Sequence, residues 1–337
     1  NFFIEESKYI IISIIILEFI IIYIFTFSYI IKPVNDLKSQ ITGFLSWSKK
    51  WWALEVWSAN LEIKFIINFF NKSLEILQNF KEELKSWKVL KSEVELASEI
   101  QKNTLSKKQT KTTTLDIIAN TKSATEVWGD SYDIIKQNDN YYIYLWDVTG
   151  HGVASWFVMM MVNALVSAFS KLMINSADIL SNTNTILKPR VKSNMLMTLL
   201  MVRWNENEKK IYMTWAWHEN LLIYKKNENK TYKIKSWWVA LGMTKDISKI
   251  LKETEINFEP WDIIVLYTDG ITDARNSHRE DWLMLGVEKL MDAIENTWKK
   301  TAQWVFNNIT IALSRWMWYN YKQFDDITLI VIHYRWS

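Results

Sequence analysis

The strongest constraint on the fold is an apolar run at residues 10–31, which contains a single ionisable side chain, Glu18. As a helix this run would be roughly 33 Å long, enough to cross a lipid bilayer. A buried core helix and a signal peptide are the alternatives. Few soluble cores use such a dense run of isoleucine, however, and no small-residue cleavage site follows it. We therefore predict a transmembrane segment over residues 1–31.

The charges beside the run predict its orientation. Four lysines follow it before residue 51, whereas Lys8 is the only basic residue before it. Because basic residues collect on the cytoplasmic side, the rest of the chain is expected in the cytoplasm, anchored to the inner (cytoplasmic) membrane. The chain opens at Asn1 rather than Met, so we also expect an upstream sensor segment.

Residues 32–114 have the pattern of two helices joined by a connector. Pro33 is expected to end the span, residues 34–45 are amphipathic, and residues 46–60 break the pattern. A second helix should begin near Leu61. This arrangement resembles a HAMP signalling module over residues 32–85, followed by a coiled-coil connector over residues 86–114; an uncommitted juxtamembrane coiled coil is the alternative. Apolar residues spaced by threes and fours predict a seam that pairs two chains into a homodimer: Phe70, Leu74, Leu77, Phe80, Leu84, Trp87, Leu90, Val94, Ala97 and Ile100.

From about Thr114 the pattern changes to alternating strands and helices, and we treat residues 115–337 as one domain. Strand-like runs cover residues 116–121, 141–146, 197–203, 210–214, 221–224, 263–267 and 327–333, and helical patterns cover residues 154–173, 177–187, 287–295 and 302–314. Short polar loops between consecutive strands indicate antiparallel hairpins. The pattern therefore predicts an α+β fold, with an antiparallel sheet core flanked by helices rather than a doubly wound parallel sheet.

Four short acidic motifs lie at or near the ends of these strand-like runs. One Asp-Gly pair is usually only a turn, but four acidic sites within about 200 residues favour a shared purpose. Carboxylates that converge in space suit hard divalent cations, which take several oxygen ligands. The motifs are Asp130-x-x-Asp133, Asp147-Val-Thr-Gly-His-Gly, Asp269-Gly270 and Asp325-Asp326.

Composition excludes several other kinds of chemistry. The chain has no cysteine, which removes disulfides, thiolate zinc sites and cysteine nucleophiles. Its four histidines are scattered without ligand spacing, so a histidine-based metal site is not expected. A net charge of +3 gives no argument for nucleic acid as a partner.

The tryptophan content is abnormal. The chain has 20 Trp and 7 Gly, together 27 of 337 residues, which is an ordinary share for glycine alone. Several of the tryptophans occupy turn positions where glycine is expected, as Trp128 does before Gly129 and Trp261 does after Pro260. We hypothesise that many are glycines in the living protein, encoded by UGA in a lineage that reads this codon as glycine. Real tryptophans would put bulky rings into turns that need a positive φ.

Five motifs in fixed order resemble the metal-dependent type-2C (PPM) protein serine/threonine phosphatases, in their bacterial SpoIIE/RsbU branch. The similarity covers about residues 94–334, beginning with the helix that ends at Gln101. Most departures are Trp for the family's Gly, at positions 128, 146, 217, 238, 261 and 282. The five motifs are Glu126-Val-Trp-Gly-Asp-Ser-Tyr-Asp133, Trp146-Asp-Val-Thr-Gly-His-Gly-Val-Ala154, Trp215-Ala-Trp-His218, Leu266-Tyr-Thr-Asp-Gly-Ile-Thr-Asp273 and Asp325-Asp-Ile-Thr328.

The resemblance implies an α-β-β-α sandwich in which two Mn²⁺ or Mg²⁺ ions sit between the sheets and activate a water. By motif, Asp147 would bridge both ions with help from the Val148 carbonyl, and Asp130 would hold the second ion. The first ion would be held by Asp269 and the acidic pair, with Asp325 preferred over Asp326. Asp147 and Asp130 are the residues expected to matter most for catalysis.

Asp133 and His151 have two readings each, and several further residues have one. Asp133 could orient a metal-bound water or cap a strand, His151 could act as an acid or hold structure, and His218 is expected to be structural. Gly150 and Gly152 are expected to shape a turn, and Asp273 to contact solvent only. The methionines at 159–161 are expected in the core. Three arginines are candidates for a phosphate clamp: Arg190, Arg203 and Arg275.

The sequence thus predicts a membrane-anchored signalling phosphatase acting on phosphoserine. The resemblance implies an anti-sigma-factor antagonist as substrate. One alternative is an inactive scaffold that keeps the fold, which would follow if rings at 128 and 146 crowd the metal turns. A HAMP-linked nucleotide cyclase is a weaker alternative, because the Gly-His-Gly after Asp147 argues against it.

Overall fold

The computed structural model describes residues 2–45, 61–104, 107–150, 152–235, 239–276, 283–318 and 323–335. The chain divides into two compact units, Asn1–Lys91 and Ser92–Ser337. The predicted connector at residues 46–60 lies outside the described residues, as do His151, Trp238 and Trp282.

The N-terminal unit is helical in its described part. Helix α1 (Phe2–Thr26) continues through a π-helical stretch (Phe27–Ile31) into α2 (Lys32–Leu45). Pro33 therefore does not end the helix, contrary to the prediction. The π-helical stretch lies just before Pro33, and its wider turn accommodates a proline ring that would otherwise clash with the carbonyl four residues earlier. By length and composition Tyr9–Asp36 could cross a membrane, with a mean hydropathy of 2.8.

Helix α3 (Leu61–Thr104) begins at the predicted residue. Leu77, Phe80, Leu84, Trp87 and Leu90 are all exposed along it. A helix with an exposed apolar stripe has one face without a partner. The HAMP-like module and the paired coiled coil stay predictions.

The second unit contains two antiparallel sheets. The first has the strand order β1-β2-β11-β10-β7-β8, and the second has the order β3-β4-β5-β6-β9. The strands of the first sheet are β1 (Gln109–Lys111), β2 (Leu115–Lys122), β7 (Leu221–Lys225), β8 (Lys230–Ile234), β10 (Ile263–Tyr267) and β11 (Ile327–Tyr334). Those of the second sheet are β3 (Ser131–Gln137), β4 (Asn140–Val148), β5 (Met197–Asn205), β6 (Lys210–Ala216) and β9 (Thr254–Ile256).

Helices cover the outer faces of both sheets. Helices α4 (Val153–Phe169) and α5 (Ser176–Leu187) share an apolar cluster with the second sheet. Helices α7 (Gly286–Glu295) and α8 (Ala302–Met317) share another with the first sheet, which also carries the short helix α6 (Asp269–Thr272). A third cluster fills the space between the sheets. The predicted α-β-β-α sandwich is therefore confirmed.

Burial on both faces explains why the central strands are continuous apolar runs. On β11, Ile330 and Ile332 belong to the cluster between the sheets, whereas Leu329 and Val331 belong to the cluster under α7 and α8. Successive side chains of a strand point to opposite faces, so both sets must be apolar. These runs are the strands that the sequence predicted correctly.

Three tryptophans in the described part of the chain have a backbone conformation that favours glycine. The φ angles of Trp217, Trp261 and Trp318 are 43°, 76° and 60°. A side chain with Cβ is strained in this left-handed region. Trp128 and Trp146 are not left-handed, so the steric argument for glycine is wrong at these two positions. Both are instead buried, and their indole N–H groups have no hydrogen-bond partner.

Candidate active site

The second sheet places two of the predicted carboxylates at one of its ends. Asp147 is the penultimate residue of β4 and pairs with Thr198 of β5. Asp130 immediately precedes β3, whose first residue, Ser131, pairs with Trp146 next to Asp147. The hairpin register therefore brings the two aspartates together, and their side chains are hydrogen-bonded to each other.

The first sheet contributes the other acidic residues. Asp269 opens α6 directly after β10, and Asp325 and Asp326 directly precede β11. Strands β10 and β11 are paired, and Thr268 N donates to Thr328 O at 3.1 Å. This pairing holds the start of α6 beside the start of β11. All five predicted metal-binding aspartates thus meet where the two sheets face each other.

Asp147, Asp269, Asp325 and Asp326 line one cleft of about 600 Å³. Burial, followed by the negative charges of Asp147 and Asp325, raises the pKa of Asp269 to about 7. Burial and the charge of Asp147 likewise hold the pKa of Asp130 well above its usual range. Mutual elevation of carboxyl pKa values means that these groups repel one another as anions. A positive charge in the cleft would remove that repulsion.

The two members of the acidic pair differ in their partners. Asp326 is buried, and its Oδ1 and Oδ2 accept from Ala124 N at 2.8 Å and Gly129 N at 3.2 Å. Asp325 is exposed at the cleft, and its Oδ1 accepts from the Asp326 N–H at 2.8 Å. Asp326 therefore fastens the segment before β3, whereas Asp325 faces the cleft.

Gly270 allows α6 to lie against the beginning of β11. A Cβ at this position would lie 2.9 Å from the carbonyl carbon of Asp326 and would overlap its carbonyl oxygen. The Asp269-Gly270 motif is thus more than a turn, because only glycine permits the backbone contact between the two acidic motifs. Gly150 and Gly152 have φ angles of 86° and 85° just before α4, which confirms their role in shaping the turn.

His218 joins the two sheets beside the cleft. It is buried, its Nε2 lies 2.9 Å from Tyr267 O, and its Nδ1 lies 2.7 Å from Thr198 Oγ1. A carbonyl only accepts, so Nε2 carries the proton and Thr198 donates to Nδ1. Burial lowers the pKa of His218 to about 4, which keeps the ring neutral. The predicted structural role agrees with these contacts.

Gln101 at the end of α3 is a residue whose role the sequence reasoning missed. It is fully buried, its Nε2 donates to Trp128 O at 2.9 Å, and Trp128 N donates to its Oε1 at 3.3 Å. Both bonds fix the backbone two residues before Asp130. Nothing in the sequence marked it, because Glu99, Lys102 and Asn103 beside it at the end of the helix are polar as well.

Glu219 is a second residue that was missed. It lines a smaller cavity that also contains Asp147, Asp269 and His218. Burial raises its pKa, and the charges of Asp273 and Asp147 add to this. Glu219 therefore increases the negative potential at the carboxylates. It follows His218 directly, so the motif ending at His218 was one residue too short.

Several other candidates lie elsewhere. Asp133 accepts from Ile134 N at 2.8 Å and from the Tyr144 hydroxyl at 3.4 Å, which favours the strand-capping reading. Arg203 is buried against Glu253 at 2.6 Å, and Arg190 donates to Ile186 O. Asp273 is exposed, as expected. Met159 is buried, with the next two methionines partly buried against the same cluster, so this set belongs to the core.

The chemistry of the cleft fits divalent cations. Its charged groups offer only oxygen, which suits Mg²⁺ and Mn²⁺. Asp130 Oδ2 is buried with no hydrogen-bond partner, and such an atom normally requires one or a cation. Within the described ranges, no three acidic or histidine side chains are grouped tightly enough to hold one ion as they stand. The aspartates are therefore neighbours rather than a closed ligand shell.

Comparison with known proteins agrees with this geometry. The family model for Stage II sporulation protein E (SpoIIE) matches residues 137–335. Phosphoserine phosphatase RsbU of Bacillus subtilis (strain 168) is 27% identical over 243 residues, which are 72% of this chain and 70% of that protein.

Two solved structures show the same fold. The SiaA-PP2C domain of Pseudomonas aeruginosa has a TM-score of 0.60 at 19% identity, over 75% of this chain and 98% of that one. RsbX, crystallised in complex with magnesium, has a TM-score of 0.51 at 11% identity, over 67% of this chain and 98% of that one. These similarities leave the nucleotide-cyclase alternative without support.

Proposed function

Because this chain belongs to the SpoIIE family of protein serine/threonine phosphatases, we propose that it hydrolyses phosphoserine on a regulatory phosphoprotein. The substrate class we propose is an anti-sigma-factor antagonist, in keeping with the resemblance to the RsbU branch. The observation that supports the proposal is the convergence of carboxylates from both sheets on one cleft.

We assign the metal ligands within the cleft as follows. Asp147 and the Val148 carbonyl would serve both ions, Asp130 the second ion, and Asp269 and Asp325 the first. Two such ions, when bound, acidify a shared water and neutralise the charge of the phosphate. Mg²⁺ and Mn²⁺ are the cations we propose, because the cleft offers oxygen ligands only.

The protein itself would do three things. Its carboxylates would bind and space the ions, both Asp130 and Asp147 in their deprotonated form. His218 joins the two sheets beside the cleft, and Gly270 lets α6 lie against the start of β11. Asp326 would hold the segment before β3 in place, because both of its carboxylate oxygens accept from backbone N–H groups of that segment. Asp325 is therefore the better ligand of the pair.

We further propose that the phosphatase is tethered and regulated through its N-terminal helices. The transmembrane segment would occupy residues 1–31, the HAMP-like module residues 32–85, and the connector residues 86–114, ahead of the phosphatase domain at 115–337. The exposed stripe on α3 would pair two copies of the chain. Gln101 supports this route, because it joins the end of α3 to the backbone beside Asp130. The domain would then face the cytoplasm from the inner membrane.

A phosphatase assay with a second, independent readout tests the proposal. The full chain is made as printed and with glycine at positions 128, 146, 217, 238, 261 and 282. Phosphate release from a phosphoserine peptide is measured with and without Mn²⁺, and Mn²⁺ binding is measured by calorimetry. Asp147→Asn should abolish both signals, because it removes the ligand shared by both ions.

The matched control is Asp133→Asn, which changes the second aspartate of the Asp130-x-x-Asp133 motif, whose side chain accepts from the Tyr144 hydroxyl. Its Mn²⁺ affinity and its rate of phosphate release should stay within about twofold of those of the parent chain. Asp325→Asn should weaken Mn²⁺ binding without lowering the melting temperature, whereas Asp326→Asn should lower both. If the glycine-restored chain binds no Mn²⁺ and releases no phosphate, the inactive scaffold is the better description.

A further inference from the structure

A second pocket lies directly beside the catalytic cleft. Its floor is formed by the buried side chains of Ala274, Met317 and Ile327. Met284 and Phe324 form its walls and are 47% and 59% exposed. Exposed apolar side chains around a concave, apolar floor are typical of a binding surface. None of the residues assigned to metal binding forms the floor.

The pocket and the cleft share one wall. Gln323, Phe324 and Asp325 line both of them. A molecule with its phosphate at Asp325 would therefore reach the pocket by passing over Phe324. An extended peptide advances about 3.5 Å per residue. A side chain one or two positions from the phosphoserine would therefore lie beyond Phe324, on the pocket side of the shared wall.

Backbone pairing holds the pocket open. Arg275 and Met284 form an antiparallel bridge, with Leu285 N donating to Ala274 O at 3.0 Å and Asn276 N donating to Leu283 O at 3.0 Å. Trp316 Nε1 also donates to Ala274 O at 2.9 Å. A preformed pocket orders few groups when its ligand binds, which favours affinity.

The charges at the mouth favour an apolar ligand. The Arg275 guanidinium lies over the Phe324 ring, 5.6 Å from its centroid, and Asp273 and Asp325 stand at the same mouth. One cation and two anions give no excess positive charge to select an acidic side chain or a second phosphate. The pocket volume of about 160 Å³ suits one side chain of the size of leucine or methionine.

From this geometry we infer that the pocket selects the substrate by taking an apolar side chain one or two residues from the phosphoserine. The inference rests on the proposed function and adds a sequence preference to it. Met284 and Phe324 are specificity-determining residues in this scheme. Neither takes part in cleaving the phosphate ester.

Three substrates separate recognition from chemistry. The first is a phosphoserine peptide in a glycine-serine background. The second is the same peptide with leucine placed in turn at each of the two positions on either side of the phosphoserine. The third is p-nitrophenyl phosphate, which has no side chain to enter the pocket. The glycine-restored full chain should cleave at least one leucine peptide with a kcat/KM roughly tenfold above that of the glycine-serine peptide.

Met284→Ala should reduce this preference to within about threefold and leave p-nitrophenyl phosphate hydrolysis unchanged. The matched control is Leu283→Ala, the neighbouring residue of the same hairpin, which is 39% exposed and lies outside the pocket. It should leave the hydrolysis of both the leucine peptide and p-nitrophenyl phosphate unchanged. Phe324→Ala should also reduce the leucine preference, but Phe324 lines the catalytic cleft as well, so the p-nitrophenyl phosphate control applies to Met284→Ala alone.

Equal cleavage of all peptides by the unmodified chain would refute the pocket assignment while leaving the phosphatase proposal intact. A parallel loss of p-nitrophenyl phosphate hydrolysis in Met284→Ala would also refute it, because the residue would then act on the chemistry. No hydrolysis of any of the three substrates would overturn the proposed function itself, and the pocket assignment with it.

Discussion

Replacing Gly270 with alanine should damage the proposed metal site through the backbone alone. The new Cβ would lie 2.9 Å from the carbonyl carbon of Asp326 and overlap the oxygen, so the start of β11 must move away from α6. A displacement on the order of 1 Å at a reacting centre costs about 10²-fold in rate. Asp269 precedes the substituted residue and Asp325 precedes the displaced one, so both proposed ligands of the first ion would shift.

Overpacking of this kind also costs about 1–3 kcal/mol of folding free energy. For a domain of this size, about 2 kcal/mol corresponds to a melting temperature lower by roughly 4–8 °C. The assay is Mn²⁺ titration of phosphate release, together with thermal unfolding followed by circular dichroism. We expect Gly270→Ala to need more Mn²⁺ and to have a kcat/KM about 10²-fold lower.

Gly286→Ala is the control. This glycine has a φ of 75°, and the nearest atom to its added Cβ, Glu288 Oε2, is 3.6 Å away. The substitution should cost about 1 kcal/mol of backbone strain without moving the site, so stability should fall and turnover should persist. If Gly270→Ala keeps its Mn²⁺ requirement and its rate, the steric argument is wrong.

Three further predictions follow from buried or strained groups. Because the pKa of His218 is about 4 when folded and about 6.5 when unfolded, the unfolded chain binds the proton first as the pH falls. The free energy of unfolding, measured in urea, should therefore drop by about 2 kcal/mol between pH 7 and 5. His218→Gln should lack this part of the drop, and an equal pH dependence in the variant and the unmodified chain would contradict the prediction. Gln101→Ala leaves a buried N–H and C=O without partners, so the Mn²⁺ needed for half-maximal phosphate release should rise about tenfold, and an unchanged requirement would disprove the link. Trp261→Gly should raise the free energy of unfolding by about 1 kcal/mol through relief of its φ of 76°, whereas Trp304→Gly within α8 should lower it by roughly 0.5–1 kcal/mol; a loss at both would count against glycine at 261.

Much of the fold followed from the burial pattern of the central strands. Strands β10 and β11 lie between two apolar layers, so both of their faces are apolar and they stand out as unbroken runs. Strands β1, β3, β8 and β9 were not predicted. They are short or partly exposed, and their side chains mix apolar with polar residues. A pattern method has little to detect in such edge strands.

The site was predictable as a set of motifs but not as a set of contacts. The sequence could group the aspartates, since each stands at the end of a strand. It preferred Asp325 over Asp326 only through the family resemblance, because the physical distinction depends on two backbone N–H groups about 200 residues away. The partners of Gln101 and the closeness of Gly270 to β11 are long-range contacts of the same kind. Such pairings exist only after the sheets have packed.

The carboxylates of the cleft come in equal measure from two sheets that share no backbone hydrogen bonds within the described part of the chain. Asp130 and Asp147 belong to one sheet, and Asp269 and Asp325 to the other. Ions bound between these carboxylates would cross-link the two sheets of the sandwich. By mass action, cation at a hundred times its Kd would add about 2.7 kcal/mol to the stability of the domain. A chelator should therefore weaken the whole domain as well as stop its chemistry.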